Sequence, residues 1–511
     1  MTTSSKYPDY FTEYQHPVFH KKCIVQNPQL RSFFISPYTS SCNHNSEITS
    51  LLKESYTHFL NGTTMKLWET WQQNRGGNYS SNMLIPYYDE YNDTIRDLII
   101  LCHPDDCQRI AMSHVQKMPN LKCIMTDSVI STTNNQHWMA QKTHFVHGLV
   151  PINPEIEKNV MKISELRVQA SYRRLFQIAH PKYEFDSFIM PRNKMHELDM
   201  NEFFLNETQA QLQLALLGTS ESFQQKTNKC LRSAFSGKNP EGGKADQGYV
   251  RQIVMELMDK IKSGKIDGIL GRLLKISPQQ TDTELYGNLI LFLFAGHDTT
   301  GHTLTWLIYE LCRHPKIQER LKQEIREFWD TRTSTDNQIK LEEFQKLPFL
   351  DKCIAETLRL YPAVANGSFR QLEYDDFITS SKTGKQVKIP KGTYVQIPNF
   401  FRHRNPDLWG KDAHQFNPDR EFKSHEIWTY NHYINPESNR YSPFLYNPRS
   451  CLGKHFAQIE MRLMLLYYLR TMTFTLGKKN YLDNIEFNKG TMGPRKGLRV
   501  YVTVDQLTAK L

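Results

Sequence analysis

The spacing of apolar and polar positions divides the chain into an unpatterned beginning and a long patterned remainder. Residues 1 to about 95 are polar and rich in Tyr, Ser and Asn, and no period assigns them an element. The run Arg96-Asp-Leu-Ile-Ile-Leu-Cys102 is short and apolar, stops at His103-Pro104, and reads as a strand. Asp105 to Met118 reads as a helix and 119–135 as a loop. Helical spacing dominates from 136 to 330, broken at Ser236–Gly248, whose Gly, Lys and Pro mark it as the most exposed connection. Within that stretch, Thr281 to about Cys312 forms one long helical pattern. It opens on a Thr281-x-x-Glu284 capping box and closes at His314-Pro315. Its middle, Leu289 to Gly296, is apolar on all sides, so this helix should cross the interior. A further helix covers Pro348 to Leu360 and stops before Pro362. Strand signals at Gln386–Ile389 and Tyr394–Ile397 flank a Lys391-Gly392 turn. A last long helix runs from about Gly453 to Arg470, and Leu498–Val504 alternates as a strand. The pattern predicts a mainly α protein with a small β subdomain.

Composition narrows the class. With 39% hydrophobic and 23% charged residues the 511-residue chain has the make-up of a globular protein with a large core. The net charge of +10 is mild for this length and no long basic block occurs, so nucleic-acid binding is not indicated. The nine cysteines, Cys23, Cys42, Cys102, Cys107, Cys123, Cys230, Cys312, Cys353 and Cys451, are odd in number, dispersed and without a CxxC. That spread argues against a disulfide framework or a structural zinc site and for a reducing compartment. No run of about 18 apolar residues and no signal-peptide core is present. The expectation is an unassigned region 1–95 without a transmembrane anchor, followed by one domain over 96–511. The protein should be cytoplasmic, or peripheral on the cytoplasmic face of the endoplasmic reticulum.

Chemistry concentrates in three places. Phe444-Leu-Tyr-Asn-Pro-Arg449-Ser-Cys451-Leu-Gly453 puts a cysteine just ahead of a helix. Unpaired N–H groups and the helix dipole there would stabilise a thiolate ligand. Gly453 would let a large planar ligand approach the backbone, and Arg449 could pair with its anionic group. Taken alone, Cys451 is equally an inert buried thiol. Glu356-Thr-Leu-Arg359 places two opposite charges on one helix face. Taken alone it reads as a surface ion pair. Ala295-Gly-His-Asp298-Thr299-Thr300 inserts poor helix formers into the most apolar helix, which calls for either a locally satisfied kink or a function.

Together these motifs resemble the cytochrome P-450 family. The cysteine segment is similar to the family's haem-binding signature Phe-x-x-Gly-x-Arg-x-Cys-x-Gly, with Asn447 in place of the first Gly. Asn best tolerates the left-handed backbone such a turn uses, so the change reads as tolerated. The resemblance implies a P-450 fold in which the long central helix crosses the haem. It implies haem b (heme b, iron protoporphyrin IX) held by Cys451, with Phe444, Arg449 and Gly453 in the cofactor loop. It also implies a structural network of Glu356 and Arg359 completed by Arg420, and a dioxygen site at which Thr299 hydrogen-bonds the bound oxygen and Asp298 relays protons. The small residues of that helix would leave a groove for dioxygen. Trp138 and Lys142 match the family's Trp-x-x-x-Arg propionate contact, with Lys for Arg, and Arg370 falls where another propionate partner often stands. Trp138 taken alone could be simple core. The motifs stand in family order, and the resemblance covers about residues 95–505.

The activity so implied is a haem-thiolate monooxygenase that uses dioxygen and a small-molecule substrate. No flavin or nicotinamide fingerprint is present, so a separate NADPH-dependent reductase is the expected electron donor. It would dock around the Cys451 loop, where Arg449, Lys454 and His455 would add positive charge. Leu291, Phe292, Ala295 and Thr299 share a helix face, and Ala363 and Val364 follow the Glu-x-x-Arg helix. They imply a mid-sized, mostly apolar or aromatic substrate. The cysteine region is similar to fungal, yeast-like P-450s of secondary metabolism, including types acting on tyrosine-derived or cyclic-dipeptide precursors. The alternatives are a peroxide-dependent dehydratase or isomerase on the same fold, and a non-enzymatic haem-binding sensor.

Overall fold

The computed structural model describes residues 82–505 except 90–93, 120–124, 150–153, 180–196, 219–225, 232–239, 267, 269–279, 333–337, 380–383, 431–435, 479–490 and 495. Residues 1–81, most of the stretch that showed no periodicity, lie outside the described residues.

Helices dominate. Those of ten residues or more among the described residues are α1 Pro104–Ser113, α2 Asn135–Leu149, α3 Pro154–Ala179, α4 Met200–Gln211, α5 Pro240–Lys262, α6 Asp282–Arg313, α7 Pro315–Asp330, α8 Pro348–Leu360 and α9 Lys454–Thr471. A π-helical turn, Leu212–Leu217, extends α4. The strands are β1 Met83–Asp89, β2 Thr94–Ile100, β3 Glu197–Asp199, β4 Ser368–Gln371, β5 Asp376–Thr379, β6 Gln386–Ile389, β7 Tyr394–Ile397, β8 Met472–Leu476 and β9 Arg499–Val504. A four-stranded sheet has the order β1-β2-β7-β4; β3-β9-β8 and β5-β6 form two smaller ones. β2 pairs parallel with β7, from Leu98 against Tyr394 to Ile100 against Gln396. β1 begins ahead of residue 96 and pairs along its whole length with β2, so the sheet reaches back into the stretch that periodicity left unassigned.

α6 is the organising element. Thr281 caps it: its hydroxyl accepts from the Glu284 N–H at 3.2 Å, and the Glu284 carboxylate accepts from the Thr281 N–H at 2.8 Å. Such a cap contributes about 1 kcal/mol. From Leu289 to Leu293 the helix is buried on every side, so it crosses the interior as its sequence demands. α4 lies close against it, and two glycines make the approach possible. A Cβ at Gly296 would come within 2.6 Å of the Leu212 side chain, and one at Gly301 within 3.0–3.1 Å of Leu205. The smallness of Gly296 therefore serves helix packing on this side of α6.

Two further expectations change. α1 ends at Ser113, five residues early, because His114 is extended and turns inward to Asp376. The Ser236–Gly248 connection is helix from Pro240 onward, and proline at the first helical position is well suited to start it.

Candidate functional site

The cysteine loop joins the core to α9. Cys451 stands two residues before Gly453, the residue that precedes the first turn of α9. The loop is closed by the Cys451 N–H donating to the Phe444 carbonyl at 2.9 Å. Phe444 is buried in the main core cluster and anchors one side of the loop. The left-handed residue is Leu445, with φ 62°, not Asn447. Proline at 448 holds the preceding Asn447 out of that region. Asn447 is used differently. Its backbone and side-chain N–H groups donate to the two Glu437 oxygens, both at 3.1 Å, and its side-chain carbonyl accepts from Ser450 at 3.0 Å.

The Cys451 side chain is accessible yet recessed among protein atoms. Burial pushes its thiol above the ordinary value, while the Gly453 N–H and the Lys454 charge pull the other way. Helix-end stabilisation was expected to favour the thiolate; desolvation outweighs it here, and a bound cation is what would hold the sulfur ionised. Space over Gly453 is open, since a Cβ there would meet nothing within 4 Å. A planar ligand could lie on that backbone.

Next to this loop, positive charge is buried in excess. Arg370 on β4 is fully buried; one N–H donates to the Phe369 carbonyl at 3.0 Å, while Nε and Nη2 have no partner. Burial pushes its pKa down to about 10. Arg449 donates to the Val115 and Val129 carbonyls at 2.9 and 3.3 Å and lies 4.0 Å from the Trp138 ring centre. Burial and the neighbouring Arg370 charge push it down to about 9. Lys117, on the segment after α1, is driven well below its usual value by burial, Arg370 and Arg449. Among the described residues, Glu373 is the one carboxylate acting on these arginines. It is itself held by the Val115 and Gln116 N–H groups and by Asn135. An arginine keeps its proton at neutral pH, so these shifts express uncompensated positive charge. Two guanidinium charges against one carboxylate, with Lys117 beside them and guanidinium N–H groups unpaired, suit a ligand carrying more than one carboxylate. Both propionates of haem b fit that requirement.

Trp138 on α2 is buried beneath this cluster. Lys142, one turn on, donates to the Pro448 carbonyl at 2.7 Å and sits 5.3 Å from the Trp138 ring centre. It thus ties α2 to the cysteine loop itself. Lys117 and Glu373 had no motif to announce them; their roles come from tertiary placement.

Behind the loop, Glu356 and Arg359 are fully buried and bonded twice, at 2.6 and 2.8 Å. Arg359 also donates to the carbonyls of His403, Ala413 and Gln415. Arg420 reaches Glu356 at 3.3 Å and Asp412 at 2.8 and 2.9 Å. A surface ion pair is excluded.

On α6, Thr299 remains half-buried, and its hydroxyl donates to the Ala295 carbonyl at 3.0 Å. Asp298 is buried. Its Oδ2 accepts from the Thr491 hydroxyl and lies 3.7 Å from His302 Nδ1, whereas Oδ1 has no partner. Leu291 and Phe292 belong to a second core cluster with Trp138; Phe292 packs edge-on against Phe145 with ring centres 5.1 Å apart. Phe294, Ala295, Gly296 and Thr299 form the accessible part of this segment. Ala363 is buried and its carbonyl accepts from the Met492 N–H at 2.9 Å; Val364 is half-buried. The expected docking charges are corrected: Lys454 and His455 are buried, and Arg449 faces the cation cluster. His455 accepts from the Trp428 indole at 3.1 Å, so these two do not form a surface patch.

Comparison with known proteins places the chain in a family. The chain matches the Cytochrome P450 family over residues 242–502, about half its length. It is 33% identical over 223 residues to the putative cytochrome P450 CYP13A2 of Caenorhabditis elegans, covering 44% of this chain and 40% of that one. It is 34% identical over 216 residues to cytochrome P450 3A29 of Sus scrofa, covering 42% and 39%. It is 35% identical over 190 residues to the cytokinin hydroxylase of Arabidopsis thaliana, covering 37% and 33%. The chain thus matches about two-fifths or less of the length of these relatives. It belongs to the cytochrome P450 family, whose members bind haem b.

Proposed function

We propose that the protein is a haem-thiolate monooxygenase acting on a mid-sized, mostly apolar or aromatic small molecule, with electrons from a separate reductase. The observation that carries this reading is the accessible Cys451 beside buried cations that have a single carboxylate among them. Haem b, if held there by the Cys451 sulfur, would supply dioxygen activation.

The chain's own residues would then do the following. Arg370, Arg449 and Lys117 bind the two carboxylates of the cofactor and fix its orientation. Trp138 supports the Arg449 guanidinium through its ring. Gly453 offers backbone without a side chain. The buried Glu356–Arg359–Arg420 network fixes α8 against the segment leading to the loop. Asp298 is arranged to carry a proton on Oδ1, since Oδ2 is already held by Thr491. Thr299, the next residue, donates to Ala295 and so presents lone pairs that accept a proton donor at the accessible strip. A dehydratase or isomerase would have no use for this proton-handling pair.

The partly accessible strip of α6 at Phe294, Ala295 and Gly296, beside Thr299, supports an apolar or aromatic substrate. The test is a titration of the haem-loaded protein with apolar, aromatic and charged small molecules, read by the haem spectrum. Apolar and aromatic compounds should shift it. A response confined to highly charged molecules would refute the substrate class, and NADPH turnover without an added redox partner would refute the separate reductase.

A further inference from the structure

Two turns beyond Thr299, the same helix carries an aromatic pair that the oxygen chemistry does not use. Trp306 is fully buried, and its ring stacks on Tyr361 with centres 4.4 Å apart and planes 6° from parallel. Tyr361 follows α8, and its hydroxyl donates to Glu310 Oε1. Glu310 is buried but lies at the edge of the core. Arg313 is 3.4 Å from one of its oxygens and His314 is 3.3 Å from the other, and both these side chains reach solvent. Helix rise places Trp306 about 10 Å along α6 from Thr299. A direct contact chain links the two regions. Thr491 bonds Asp298, and the neighbouring Met492 carbonyl accepts from the Trp306 indole N–H at 2.7 Å.

Packing alone explains a stacked Trp and Tyr. It does not explain why the phenol of a core tyrosine is given a carboxylate as its acceptor. Burial and the Glu310 charge hold that phenol well above its usual value, so it keeps its proton in the resting protein. A hydrogen-bonded base is what a phenol needs to lose an electron without becoming a buried cation.

We propose that Trp306, Tyr361 and Glu310 form a proton-coupled escape route for oxidising equivalents from a peroxide-oxidised haem to the protein edge. The inference rests on the haem-binding reading above. In the first step the Trp306 indole gives one electron to the oxidised haem. In the second, Tyr361 gives one electron to the Trp306 radical cation and its phenolic proton to Glu310. The balance is a haem reduced by one equivalent, a neutral Tyr361 phenoxyl radical and a neutral Glu310 carboxylic acid. A small-molecule thiolate in solution gives one electron and becomes a thiyl radical, and Glu310 returns the proton, which restores the Tyr361 phenol and the Glu310 carboxylate. The route would protect the haem when no substrate consumes the oxidant.

The test starts with the full chain loaded with haem b, whose thiolate ligation is first checked by the carbon-monoxide difference spectrum. The ferric protein is mixed with hydrogen peroxide without substrate, frozen within milliseconds and examined by electron paramagnetic resonance. The expected result is a tyrosyl radical whose hyperfine pattern changes with ring-deuterated tyrosine. Tyr361→Phe, which keeps the stack, should lose this signal and bleach the haem faster. Glu310→Gln should replace it with a tryptophan-centred signal. Should Tyr361→Phe fail to accumulate as folded protein, Trp306→Phe must lose the tyrosyl signal. A shifted carbon-monoxide band with a tyrosyl signal unchanged in Tyr361→Phe or Trp306→Phe overturns the route alone. Absence of the shifted band overturns the haem reading beneath it.

Discussion

Replacing Glu356 by Gln tests whether the charge network behind the cysteine loop is structural. The substitution keeps the side-chain volume and removes the charge. Glu356 accepts two bonds from Arg359, one from Arg420 and one from the Asn417 N–H. Without it, Arg359 keeps three backbone carbonyls but has no counter-charge within bonding distance. Removing one partner of a buried pair costs about 3–5 kcal/mol. That raises the unfolded fraction about a hundred- to several-thousandfold. Arg420→Met should cost less, about 1–2 kcal/mol, because it leaves Glu356 with Arg359 and leaves Asp412 half exposed. Urea unfolding followed by tryptophan fluorescence, with the single and double variants, gives both values and their coupling. A Glu356→Gln loss below about 1 kcal/mol, the size of an exposed pair, would refute the reasoning.

Other consequences follow from the same geometry. Arg370→Met removes a buried cation with unpaired N–H groups, and a charge-assisted bond is worth about 1.5–3 kcal/mol. Haem affinity should fall about ten- to a hundredfold in a transfer assay, and an unchanged affinity would remove Arg370 from the propionate site. Gly296→Ala drives a methyl into Leu212 and should lower stability by about 1–3 kcal/mol. Adding Leu212→Ala should make the double variant more stable than the sum of the singles, and strict additivity would contradict the packing. Burial alone would raise the Glu426 carboxyl, but Arg440 and Ser438 hold it below the usual range. A group depressed in the folded state contributes stability that is complete above its unfolded value and lost as pH falls through the folded one. Glu426→Gln should therefore flatten the loss of stability between about pH 5 and pH 3, and an unchanged acid limb would contradict this.

Local signals carried much of the fold. The capping box at Thr281, the prolines bounding α7 and α8, and the apolar middle of α6 each decide a local structure by themselves, and those elements formed as expected. β6 and β7 were marked by the Lys391-Gly392 turn between them, whereas β4 and β5, equally short, carried no such signal and are defined by their partners in the sheet. The chemistry divides the same way. Cys451, Glu356 and Arg359 stand in short motifs. Lys117, Glu373 and Thr491 matter through what the fold brings beside them, across 193 residues in the case of Thr491 and Asp298. Asn447 shows why a motif gap can mislead: the left-handed residue of the loop is Leu445, two positions earlier, and Asn447 instead bonds Glu437 and Ser450. Lys454 and His455 show the limit of counting charges along the chain, since burial removes both from the surface.

The most direct test of the account is the carbon-monoxide difference spectrum of the reduced, purified, haem-loaded protein, taken beside that of Cys451→Ala. The account predicts a strongly red-shifted Soret band that Cys451→Ala abolishes. A band at the unshifted position of histidine-ligated haem, or no haem signal at all, would contradict it.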